Sequence, residues 1–133
     1  MMKQSLASLV GAGVLLAVAF APPVVEAAEA NENVHFGEHL MILVAGLLLA
    51  IAIQALVRRQ FDRNPHRASL GVGIIGLGFV LFLASQIPAF DMLADMTMAF
   101  HVLQHLMILA SGGLVGMGFI VFGAIPTMTP RSR

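Results

Sequence analysis

Three long apolar stretches, residues 36–57, 68–90 and 98–125, decide what this chain can fold into. Each is near or above the ~20 residues that a helix needs to cross the hydrocarbon of a bilayer. In lipid every backbone N–H and C=O must find its partner inside the protein, which leaves helices and closed barrels as the spanning structures. The sequence therefore predicts an all-α fold, an integral membrane bundle of three transmembrane helices. Composition agrees: 59% of the 133 residues are hydrophobic, 11% are charged and the mean hydropathy is +0.92. That balance cannot easily cover a soluble domain. Cys, Trp and Tyr do not occur, so disulfides, thiolate metal sites, iron–sulfur clusters and covalently attached haem are excluded. His, carboxylate and Met remain as possible metal donors.

Ahead of the spans, residues 1–30 open with Lys3, run apolar over 6–21 and break at Pro22-Pro23. They then reach the small-residue sequences Val25-Glu26-Ala27 and Ala28-Glu29-Ala30. That order describes a secretory signal peptide cut after Ala27 or Ala30, with 31–133 as the three-helix membrane domain. The same run is long enough to remain as a fourth helix if it is not cut.

All seven Lys and Arg fall on one side of the expected membrane: Lys3, then Arg58, Arg59, Arg63 and Arg67 between the first two spans, then Arg131 and Arg133. Glu26, Glu29, Glu32, Glu38, Asp91 and Asp95 fall on the other side, and only Asp62 joins the basic loop. The positive-inside rule then places the mature N-terminus outside and the C-terminus in the cytoplasm. The expected location is the cytoplasmic (inner) membrane of a prokaryote.

The first and third spans begin alike. His35-Phe36-Gly37-Glu38-His39-Leu40-Met41-Ile42-Leu43 and His101-Val102-Leu103-Gln104-His105-Leu106-Met107-Ile108-Leu109 share His-x-x-x-His-Leu-Met-Ile-Leu, the mark of an internal duplication. Histidines four apart lie on one helix face. Two such pairs at equal depth allow four imidazoles to converge between the spans. Ionisable side chains in spans are expensive and are functional hypotheses by default, and imidazole is a ligand for copper, zinc, iron and nickel. His35, His39, His101 and His105 are therefore the expected metal ligands, with Glu38 and Gln104 placed to orient the rings from behind. The competing reading makes them interfacial side chains bonded to one another, to headgroups or to water.

Methionines cluster near the same end: Met41, Met92, Met96, Met98 and Met107. Thioether sulfur selects copper(I), which puts copper first and zinc second, although Met41 and Met107 also read as packing residues. Asp91-Met92 and Asp95-Met96 form a doubled acidic pair that would collect cations or simply open a helix. One b-type haem between a His of each span is the rival cofactor. His66 reads as a solvated loop residue. Gly71, Gly73, Gly76 and Gly78 carry the spacing of a dinucleotide fingerprint, but they sit inside an apolar run with no preceding strand. They read instead, with Ser111, Gly112 and Gly116, as small residues that let helices approach.

The segment His101-Val102-Leu103-Gln104-His105-Leu106-Met107 resembles the His-x-x-Gln-His-Leu segment of the CtaG-type cytochrome oxidase assembly proteins, with an echo at 35–43. The resemblance implies copper handling at the outer face, as an assembly factor or chaperone for a membrane copper enzyme. The alternatives are a small haem electron-transfer subunit and a structural accessory subunit of a larger membrane complex. No nucleophile-base pair, phosphate loop or carboxylate pair occurs, so catalysis by the chain alone is not expected. Expected partners are membrane lipid, a membrane copper enzyme and a second copy of the chain, with no nucleic acid.

Overall fold

Two prolines decide where the first and third long helices stop. Pro22 and Pro88 each stand in the first turn of a new short helix, where a missing N–H costs nothing. The residue before a proline is pushed out of the helical region, and Ala21 and Ile87 are accordingly extended. In the computed structural model, which describes residues 2–54, 57 and 65–123, the elements are α1 (Met2–Ala19), α2 (Pro22–Ala30), α3 (Glu32–Ala52), α4 (Arg67–Ser85), α5 (Pro88–Met96) and α6 (Met98–Phe122). Arg58, Arg59, Asp62, Arg63, Arg131 and Arg133 lie outside the described residues, as do the side chains of Lys3, Asp91 and Asp95.

The fold is all-α, and α3, α4 and α6 are long and apolar enough to cross a membrane. The protein is an integral membrane bundle. Outward-facing Val72, Leu77, Phe79, Val80 and Leu83 of α4 are each more than half exposed, a face that suits lipid and would be a liability in water. The spans differ from expectation at their ends. The second stops at Ser85 because Pro88 starts α5. The first starts at Glu32, after Asn31 accepts a hydrogen bond from the Asn33 N–H at 2.9 Å. The third closes on Gly123, whose φ of 93° is left-handed, the usual glycine stop.

The duplication extends beyond the histidine segments. Displaced by 66 residues, the interval from Pro22 to Pro88, α1 falls on α4, α2 on α5 and α3 on α6. The caps Asn31 and Thr97 coincide, as do Gly46 and Gly112, and Ala28 and Ala94, both buried. The N-terminal segment is thus the counterpart of a span. It is also packed like one: Ala12 and Ala19 are fully buried, and Leu16 joins the core of Ala19, Ile42 and Ile108. α1 and α2 meet at a bend of 56°.

Helices α3 and α6 cross at the centre, with α1 against α3 and α4 against α6. Lipid offers helices no hydrophobic reason to associate, so close packing must hold them. A Cβ added to Gly46 would run into the Leu109 carbonyl, and one on Gly112 into the Leu43 carbonyl. The two contacts are repeat-related. Gly71, Gly78 and Gly118 make the same close approach between α4 and α6, whereas Gly73 and Gly76 face open space and do not serve the packing role expected of them.

Candidate functional site: a histidine cluster at one end of the bundle

Because α3 and α6 run in the same direction from caps at the same level, their first turns deliver both His-x-x-x-His pairs to one place. Ring centroids are 4.3 Å apart for His35 and His39, 4.4 Å for His101 and His105, 5.5 Å for His39 and His105, and 6.5 Å for His35 and His101. The four expected residues form one cluster in two layers. His39 and His105 are the buried inner layer. His35 and His101 are half-buried and line a cleft of about 1070 Å³, together with Glu29, Glu32 and Met98.

Glu38 joins this cluster directly. It is only 2% exposed, with Oε2 at 3.7 Å from His35 Nδ1 and Oε1 at 3.8 Å from His105 Nε2. Its carboxylate therefore links the outer layer to the inner one. Gln104, its repeat counterpart, does something else: its Nε2 donates to the Ser85 carbonyl at 2.9 Å. The difference is chemical. An amide carries a donor for a carbonyl, whereas an ionised carboxylate is acceptor-only and cannot repeat that bond with the equivalent carbonyl of Ala19.

Three further residues close the site. Gln86 places Oε1 3.4 Å from His39 Nδ1 and donates through Nε2 to Ser85 Oγ at 3.1 Å, and Ser85 Oγ donates to the Phe82 carbonyl at 2.7 Å. Phe20, at the position equivalent to Gln86, stands edge-on to His105 with centroids 5.3 Å apart. Each first helix of a repeat thus ends on the inner histidine of the other repeat. The sequence held a signal for this in the 66-residue offset, once Pro22 is aligned with Pro88.

Of the methionines, Met98 alone among the described residues lines the cleft with His35 and His101. Met41 packs into the core with Ile42 and Ile108, and Met92, Met96 and Met98 are exposed, Met98 at the cleft. Met107, two residues past His105, points well round the helix from it. His66 lies at the opposite end, where its carbonyl accepts from Ser69 Oγ.

Among the described residues no three His, Asp or Glu side chains stand in a ready-made metal geometry. Chemically the cluster offers several imidazole lone pairs and one carboxylate inside apolar helices, reached from a cleft that carries two more carboxylates. Such an arrangement can bind a cation or exchange protons. No protein-family model matches the chain, and no curated protein or solved structure matches it.

Proposed function

We propose that this is a membrane metal-binding protein, a copper-handling or assembly factor for a membrane copper enzyme, with His35, His39, His101 and His105 as ligands and zinc as the alternative ion. The observation that carries the reading is the meeting of four imidazoles and one carboxylate at the end of two apolar helices. Polar rings are rarely collected inside a bilayer protein without a use. Binding requires rotation of the side chains to bring nitrogens within ~2.0–2.1 Å of an ion, and His35 and His101 border the cleft that gives them room. An ion is favoured over a haem. Backbones that touch at Gly46 and Gly112, two turns from His39 and His105, hold α3 and α6 too close for a flat macrocycle between them.

The proposal includes a retained N-terminus. A segment that matches α4 and α5 in register and puts Phe20 against His105 is better read as a fourth span than as a signal peptide that is removed. With α1 kept, the positive-inside rule puts Lys3, Arg58, Arg59, Arg63, Arg67, Arg131 and Arg133 on the cytoplasmic side, and the histidine end faces outward in a prokaryotic inner membrane. Both chain ends are then inside. A cleaved form would instead begin outside.

Metal analysis by mass spectrometry and an optical spectrum of the same purified, full-length sample test this reading. Bound copper or zinc, lost when His39 and His105 are both replaced by Ala, is the expected result. A Soret band would decide for haem. No metal and no chromophore would leave a structural subunit of a larger complex.

A further inference from the structure

Glu38 is buried to within 2% of complete exclusion, on a helix that has no Lys or Arg. The facing helix α6 has none either. A carboxylate so placed is costly without a positive partner. His35 Nδ1 and His105 Nε2 stand 3.7 and 3.8 Å from its two oxygens, too far for hydrogen bonds. His105 Nε2 is itself buried with no hydrogen-bond partner. A carboxyl oxygen and an imidazole nitrogen without a hydrogen-bond partner therefore face one another across a gap that a cation would bridge, and the cleft at His35 and Glu38 gives it access.

We infer that Glu38 is itself a metal ligand, and that it makes this a mixed imidazole–carboxylate site for a divalent ion, Zn²⁺ or Cu²⁺, in preference to Cu⁺. The inference rests on the metal-binding reading above and narrows it. Imidazole and carboxylate oxygen suit divalent zinc and copper, whereas Cu⁺ is selected by soft sulfur. Met41 packs against the core of Ala19, Ile42 and Ile108, and Met98, at the cleft, is turned largely outward. The repeat itself marks Glu38 as special, because the matching Gln104 is held by the Ser85 carbonyl and supplies no second carboxylate.

The test titrates full-length protein in detergent with ZnCl₂, with CuCl₂, and with Cu⁺ against a chromogenic chelator, using wild type, Glu38→Gln and the double variant His39→Ala/His105→Ala. Wild type is expected to prefer the divalent ions. Glu38→Gln should weaken Zn²⁺ and Cu²⁺ by about tenfold or more, the scale at which disturbed metal sites respond, and leave Cu⁺ nearly unchanged. Unchanged Zn²⁺ affinity in Glu38→Gln, with binding abolished in the double variant, would overturn the role of Glu38 and leave the histidine site standing. A wild-type protein that binds none of the three would sink both. If Glu38→Gln fails to fold, the wild-type order decides: tighter Cu⁺ than Zn²⁺ and Cu²⁺ overturns the inference, and the reverse supports it.

Discussion

The two halves of this protein, α1–α3 and α4–α6, share one frame and differ in what they place at three matched positions. The second half has Ser85, Gln86 and Gln104, a hydrogen-bonded set that ties α4 to α6 and presents an amide to His39. The first half has Ala19, Phe20 and Glu38, which give an aromatic edge on His105 and a carboxylate with no donor in hydrogen-bonding range among the described residues. What the halves have in common, the caps, the prolines and the central glycines, holds the helices in place. Both halves also supply a His-x-x-x-His pair, and around those rings they differ at these three positions. The repeat supplies the rings, and the groups set around them break its symmetry.

The largest effect should come from breaking the shared part. Gly112→Leu puts a side chain where the Leu43 backbone already stands. Overpacking of this kind costs about 1–3 kcal/mol or more, and thermal unfolding of the detergent-solubilised protein should show a lowered midpoint. The repeat-related Gly46→Leu should behave alike. Gly73→Ala, which meets nothing within 4 Å, should be neutral or stabilising by up to about 1 kcal/mol. Equal losses at Gly73 and Gly112 would contradict the crossing described here.

A smaller and more discriminating effect comes from exchanging the matched pair. Gln104→Glu removes the donor to the Ser85 carbonyl and should destabilise by about 1–3 kcal/mol. Glu38→Gln removes a buried carboxylate and should raise the melting point of the metal-free protein. Opposite signs at equivalent positions are the expected outcome, read from two melting curves. The same sign at both would show that the halves do not differ as described.

The caps should give the smallest effect. Asn31→Ala and Thr97→Ala each remove a helix cap of a kind usually worth about 0.5–2 kcal/mol. The Asn31 bond is 2.9 Å and the Thr97 bond 3.4 Å, so the loss should be larger at Asn31. Differential scanning of the two variants would sharpen the comparison between the repeats.

The three spans were legible in the sequence because apolar length alone specifies a bilayer helix. The histidine pairs were legible because a spacing of four fixes a common face. The N-terminal helix was harder to place, since a signal and a first span are both an apolar run behind a positive charge. Its packing on Ile42 and Ile108 is a tertiary fact, and the repeat that predicts it survives outside the spans only in sparse matches such as Pro22 with Pro88 and Ala28 with Ala94. Glu38 was legible only as a group behind the rings. One residue before His39, it lies about 100° round the helix from it, and only its turn toward His105 brings the carboxylate into the cluster.

X-ray absorption at the metal edge of the loaded full-length protein tests the central claim most directly, because it reports the atoms bound to the ion. A shell of nitrogen and oxygen at about 2.0–2.2 Å, with imidazole outer-shell scattering that disappears in His39→Ala/His105→Ala, is the expected spectrum. A sulfur shell near 2.3 Å, or a spectrum unaffected by the double variant, would contradict it.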